Sequence, residues 1–288
     1  MKKLIIILFL LPAVFAFAQE RGTISTNNVC KSPVLGHDIA YSIYLPPGYG
    51  TDKINYPVLY LLHGYTDDQT GWVQFGDVRR IATAAIERGD VPPLIIVMPD
   101  AGVSWYVNDV QGKVRYEDAF FNDFIPYIEK TYPVLAKKEF RAVAGLSMGG
   151  YGSLLYALKH PDYFSACVAM SAAVFTDEEI KAFPKDRRAM FDDLFGDLSA
   201  TNLPQHWKDN SVLEIIKNYP ADKKNQVRFY IDCGDDDFLY RGNAALHVAL
   251  RDQNMPHEFR MRDGAHTWSY WRTGLVDGLK FIGMGFFR

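Results

Sequence analysis

Phe140-Arg141-Ala142-Val143-Ala144-Gly145-Leu146-Ser147-Met148-Gly149-Gly150 carries an apolar run directly into a glycine-rich turn. Phe140 to Leu146 reads as a strand buried on both faces, and Gly149 to Lys159 as a helix. Between them, Gly145-Leu146-Ser147-Met148-Gly149 matches G-x-S-x-G, which at a strand-to-helix junction is a nucleophile elbow. A chain that passes at once from strand to helix holds Ser147 in a tight, unfavourable backbone conformation. A side chain at position 145 or 149 would collide across the turn. The turn lifts the serine hydroxyl above the sheet edge. The helix N-terminus lies beneath it, where its partial positive charge favours a developing oxyanion.

Val58 to Leu62, Leu94 to Met98, Cys167 to Met170 and Val227 to Ile231 are short apolar runs of the same kind as Ala142 to Leu146. Asp77 to Arg88, Tyr116 to Tyr132 and Gly242 to Gln253 carry helical periodicity, and Pro126 inside the second should kink it. Strands alternating with helices imply βαβ units and an α/β fold whose central sheet is mostly parallel and flanked by helices. His37 to Leu45 alternates polar and apolar residues and closes at Pro46-Pro47-Gly48. Residues 173–226, with Pro184, Pro204 and Pro220, are too long for a simple crossover. They read as a partly helical insertion over one end of the sheet, a candidate lid. No linker divides the chain, so residues 19–288 form a single domain.

The chain has 288 residues, 48% hydrophobic and 23% charged, which excludes a disordered or disulfide-stapled class. A net charge of −3 gives no basic footprint for nucleic acid. Lys2 and Lys3, the apolar run Leu4 to Phe17 and the small-residue site Ala16-Phe17-Ala18 read as a signal peptide at residues 1–18, cleaved after Ala18. That apolar run is short of the ~20 residues needed to span a bilayer, so no membrane anchor is expected. The product is expected to be secreted or periplasmic. Cys30, Cys167 and Cys233 are odd in number and match no zinc spacing; Cys167 and Cys233 read as small buried hydrophobes in preference to a bridge.

A serine nucleophile needs a base. Of seven histidines, His37, His160, His206, His247 and His257 sit where structural or surface roles are expected. His63, in His63-Gly64 after a strand, suits an oxyanion loop. His266, after the strand-like run Glu258 to Met261, is the choice for the base. The acid comes from Asp232, Asp235, Asp236 or Asp237. Asp232 is still in the strand; Asp237 lies far enough past Gly234 to turn back toward the histidine, although the cluster could also be a solvated turn or hold calcium. Ser147, Asp237, His266 is the chain order of α/β-hydrolases. The oxyanion donors expected are the backbone N–H groups of Met148 and Tyr65. This set requires no metal and no organic cofactor.

These motifs resemble the esterase family of α/β-hydrolases that groups esterase D, the antigen 85 mycolyltransferases and the feruloyl and acetylxylan esterases. The resemblance runs from Tyr44-Leu45-Pro46-Pro47-Gly48-Tyr49 through Tyr56 to Gly64, Ile96 to Asp100, Glu117-Asp118 and the Ser147 elbow. It continues through Cys233-Gly234-Asp235-Asp236-Asp237-Phe238-Leu239 to Gly264-Ala265-His266-Thr267-Trp268 and Trp271. It implies that Asp237 is the acid. With the leader, the His-x-Trp-x-x-Trp ending looks most like secreted carbohydrate esterases that remove feruloyl or acetyl groups from plant polysaccharide. The expected partner is an acylated carbohydrate or small ester. Trp72, Trp105, Tyr106 and Trp268 are candidates to stack on a phenolic acyl group or a sugar, and equally candidates for packing. Acyl transfer to a sugar or lipid, a thioester or other small-ester hydrolase, peptide hydrolysis and a non-catalytic binding module are the alternative readings.

Overall fold

Apolar runs that do not alternate need cover on both faces. The computed structural model, which describes residues 21–287, supplies it. The leader expected at residues 1–18 lies outside the described residues. Among those described, one sheet is built from β1 (Thr23–Ser32), β2 (His37–Leu45), β3 (Val58–Leu62), β4 (Ile95–Pro99), β5 (Arg141–Leu146), β6 (Ala166–Met170), β7 (Arg228–Gly234) and β8 (His257–Arg262). The strand order is β1-β2-β4-β3-β5-β6-β7-β8. β2 pairs antiparallel with β1 and with β4, and every other pairing is parallel. Every residue of β3, β4, β5 and β6 is buried.

The helices are α1 (Gly71–Gln74), α2 (Val78–Glu87), α3 (Tyr116–Ala119), α4 (Ile125–Thr131), α5 (Met148–Lys159), α6 (Asp177–Ala182), α7 (Lys185–Phe195), α8 (Gln205–Asn210), α9 (Val212–Lys217), α10 (Tyr240–Asp252) and α11 (Trp268–Phe286). Side chains alternate along each strand, so Leu59 and Leu61 meet α2 and α11 on one face. Tyr60 and Leu62 meet Phe120, Phe124 and Leu155 on the other. The break expected at Pro126 is a π turn, Phe120–Phe124, between α3 and α4. Pro126 has no N–H to donate and its ring crowds the carbonyl four residues back, so the ladder widens just ahead of it.

The 173–226 insertion folds as α6 to α9. α6 opens on a capping box: Glu179 N–H donates to Thr176 Oγ1 at 3.2 Å, and Thr176 N–H to Glu179 Oε2 at 2.9 Å. α8 and α9 cover the outer side of α5. Tyr151 Oη donates to Asn210 O (2.7 Å) and Tyr219 Oη to Leu158 O (3.1 Å). That cover explains why α5 is apolar all round, with Met148 to Leu158 buried throughout. Ahead of these, Phe175 and Phe191 pack against Trp105, which follows β4. The three cysteines are free and buried, and burial pushes the Cys167 and Cys233 thiols up, as fits small hydrophobes. Among the described residues no helix is long and apolar enough to cross a membrane.

Candidate active site

β5, β6, β7 and β8 lie side by side and parallel, so the residues beyond their C-terminal ends share one edge of the sheet. Ser147 follows β5, Ser171 follows β6, Asp237 lies just past β7 and His266 just past β8. Ser147 has φ 53° and ψ −118°, a conformation disfavoured for any residue with a Cβ. A Cβ at 145 would strike the Gly149 backbone, and one at 149 would stand 2.5 Å from Leu62 O and 2.6 Å from His63 O. The elbow is tied to the chain around β6: Ser147 N–H donates to Met170 O (2.9 Å) and Ala173 N–H to Ser147 O (2.9 Å).

His266 Nδ1 lies 2.9 Å from Asp237 Oδ2 and 3.1 Å from Oδ1, and its Nε2 lies 3.0 Å from Ser147 Oγ. A carboxylate only accepts, so Nδ1 carries the proton and Nε2 is left to accept from the serine hydroxyl. Asp237 is fully buried. Burial works to raise its carboxyl, but hydrogen bonds from His266, the Leu239 N–H and Ser171, with the His266 charge, outweigh it. The carboxyl is held below the usual range. A hydroxyl, an imidazole and a buried carboxylate in this chain form the constellation of nucleophilic acyl transfer.

The other acids have structural tasks. Asp232, still within β7, is buried. It accepts from Arg262 Nη2 at 2.7 Å and from the hydroxyls of Tyr270 and, at 3.3 Å, Tyr230. Asp235 Oδ1 accepts the Gly264 N–H at 3.0 Å, and Asp236 N–H donates to Gly264 O at 3.0 Å, clamping the loop that carries His266. The Asp235, Asp236 and Asp263 carboxylates lie close together on the exposed surface.

Met148 is the first residue of α5, so its N–H has no acceptor within the helix. A Cβ on Gly64 would lie 3.6 Å from Ser147 Cβ, so the loop carrying Tyr65 passes directly beside the serine. His63 is buried. The Ala101 N–H donates to its Nε2 at 2.8 Å, so Nδ1 carries the proton and donates to Gly64 O at 2.7 Å. This pins the oxyanion-side loop to the loop after β4. The remaining histidines bond elsewhere: His160 to Glu117, His206 to Asn108 O, His247 to His257 and His37 to Asp38 O.

The aromatic candidates divide. Trp72 is a correction: it has no exposed surface, and its indole N–H donates to Leu62 O at 3.0 Å. Tyr106 is another, fully buried, donating to His63 O at 3.0 Å. Trp268, at the start of α11, packs edge-on to Trp72 and Trp271 on the α2 side of the sheet. Trp105, with φ 55°, lies between Tyr65 (centroids 6.0 Å) and Phe191 (4.7 Å). Phe238 escapes the sequence reading: it is 62% exposed, with its ring 4.6 Å from His266. Its position one residue past Asp237 is the signal that could have found it. Ser171 and Trp271 had no signal beyond the motif ending.

A sequence model of the family described as Putative esterase matches residues 32–282. The chain belongs to this esterase family of α/β-hydrolases. The esterase is 25% identical over 237 residues to an acetyl esterase of Caldicellulosiruptor saccharolyticus, covering 80% of this chain and 85% of that one. It is 35% identical over 147 residues to an endo-1,4-beta-xylanase/feruloyl esterase of Xylanibacter ruminicola, covering 49% of this chain and 20% of that longer one. A solved ferulic acid esterase shares 33% identity at a TM-score of 0.79, over 92% of this chain and 99% of its own. A Staphylococcus aureus S-formylglutathione hydrolase shares the fold at 24% identity and a TM-score of 0.74, over 90% and 99%. The esterase is a serine hydrolase of carboxylic esters with the α/β-hydrolase fold.

Proposed function

We propose that the esterase is exported and removes feruloyl or acetyl groups from acylated plant polysaccharide, or its fragments, through an acyl-enzyme on Ser147. The observation that carries the mechanism is the hydrogen-bonded order Ser147 Oγ, His266, Asp237 on a serine held at φ 53°. Ser147 Oγ attacks the ester carbonyl while His266 Nε2 takes its proton. The Met148 and Tyr65 N–H groups face the oxyanion of the tetrahedral intermediate. As the carbon–alkoxy bond breaks, His266 returns the proton to the leaving alcohol. Water then attacks the acyl-enzyme with His266 again as base, and Ser147 leaves with the proton. Asp237 keeps the imidazole in the reactive tautomer and stabilises the imidazolium.

The substrate reading is supported by the acetyl esterase and the xylanase/feruloyl esterase among the relatives, and by the exposed Phe238 ring beside His266, which suits a planar acyl group or a sugar face. Export is supported by the leader read at residues 1–18. The test is hydrolysis of methyl ferulate and acetylated xylan by the chain lacking that leader, with Ser147→Ala as control. Ferulate or acetate release that disappears in the variant is expected. No release from either substrate by the wild type would refute the substrate class.

A further inference from the structure

The catalytic chain described so far ends at Asp237, yet a fully buried carboxylate needs more donors than one imidazole. Its Oδ1 accepts the Leu239 N–H at 2.9 Å, and Oδ2 faces His266 Nδ1 at 2.9 Å. The Ser171 hydroxyl, itself fully buried, is among the groups that hold this carboxyl below the usual range. Ser171 follows β6, the strand between that of Ser147 and that of Asp237, so the topology sets it between the two. Its backbone is at φ 45°, a region that favours glycine, and its N–H is anchored on Asp232 O at 2.6 Å. A serine held where the backbone favours glycine points to use of its hydroxyl.

Trp271 reaches the same place from α11. Its Nε1–H donates to Ser171 Oγ at 3.0 Å, and its ring packs edge-on to His266, centroids 4.8 Å apart at 90°. An indole N–H can only donate. It therefore occupies a lone pair of Ser171 Oγ and leaves the hydroxyl proton for the carboxylate.

We propose that Ser171 and Trp271 are positioning residues for the catalytic set. The indole N–H orients the Ser171 hydroxyl, the hydroxyl holds the Asp237 carboxylate, and the indole ring holds the His266 imidazole. The inference rests on the proposed roles of Ser147, His266 and Asp237.

Ser171→Gly separates positioning from mere packing, because glycine relieves φ 45° while deleting the hydroxyl. Relief of φ 45° and loss of the acceptor for the buried Trp271 N–H oppose each other, so the variant is expected to melt close to wild type. Its kcat on methyl ferulate or p-nitrophenyl acetate should fall about tenfold, as for loss of one hydrogen bond to a charged group. KM should stay within about twofold, and Ser147 labelling by a fluorophosphonate should slow by the same factor as kcat. Trp271→Phe keeps a ring against His266 and removes the N–H, so both rates should fall less. The double variant should lose no more than Ser171→Gly alone, because the relay acts as one unit. The downfield proton resonance of His266 Nδ1–H should shift in both single variants. A Ser171→Gly protein with kcat and labelling rate within twofold of wild type would overturn the proposal, as would fully additive losses in the double variant. A wild-type protein that neither hydrolyses these esters nor takes the label would instead refute the catalytic reading beneath it.

Discussion

Gly149→Ala should cripple the esterase without touching any group that moves a proton. A Cβ at this position would stand 2.5 Å from Leu62 O and 2.6 Å from His63 O, both backbone atoms. Ordinary contact begins near ~3.5 Å, so α5 and the end of β3 would have to separate by about 1 Å. His63, Gly64 and Tyr65 follow that strand end, so the displacement passes straight into the loop beside Ser147. A shift of about 1 Å at a reacting centre costs roughly 10²-fold in rate. Forcing one carbon into a packed junction costs about 1–3 kcal/mol, or a fall in Tm of roughly 2–12 °C for a domain of this size. The assay is kcat on methyl ferulate, measured well below the variant's Tm, beside the rate of fluorophosphonate labelling. Both should fall together. A folded Gly149→Ala enzyme with kcat within about threefold of wild type would refute the argument that this glycine sets the oxyanion geometry.

Ser147→Gly should be more stable than Ser147→Ala, because only glycine relieves φ 53° at the elbow. Relief of about 1–3 kcal/mol, less the greater freedom of glycine in the unfolded chain, leaves a net near ~1 kcal/mol, or roughly 2–4 °C by calorimetry. Phe238→Ala should raise KM for methyl ferulate several-fold with kcat little changed, since the exposed ring beside His266 offers surface and no chemistry; steady-state kinetics on methyl ferulate and methyl acetate give the comparison. Asp237 has a carboxyl held low in the fold, so its stabilising effect is complete above the unfolded value near ~3.9 and is lost as pH falls through the folded value. Urea melts of wild type and Asp237→Asn should therefore differ most at neutral pH and draw together as pH falls below ~3.9 and through the folded value, with kcat of the variant down by about 10⁴ at pH 7.

What was legible in the sequence was whatever depends on local spacing. Gly145 and Gly149 announce the elbow because a turn that tight admits no Cβ at either place. His37 to Leu45 alternates in sequence, yet in the fold Tyr41 to Tyr44 are all buried, Ser42 included, so the alternation does not mark an open face. The apolar run Val227 to Ile231 stops short of the real strand, although the sequence already keeps Asp232 within it. In the fold, β7 runs on to Gly234, its carboxylate answered by Arg262 thirty residues later. Trp72 reads equally as a stacking or a packing residue because its acceptor, Leu62 O, lies on another element. Ser171 is illegible for the same reason, since its partners Asp232 and Trp271 come from β7 and α11. Chain order predicted the roles of Ser147, Asp237 and His266. Only the strand order β5-β6-β7-β8 reveals the fourth side chain between them.

The most direct test of the account is the mass of the protein after reaction with a fluorophosphonate, followed by peptide mapping. A single adduct is expected on Ser147, absent from Ser147→Ala, and formed in step with complete loss of ester hydrolysis. An adduct on another residue, or hydrolysis that survives in Ser147→Ala, would contradict it.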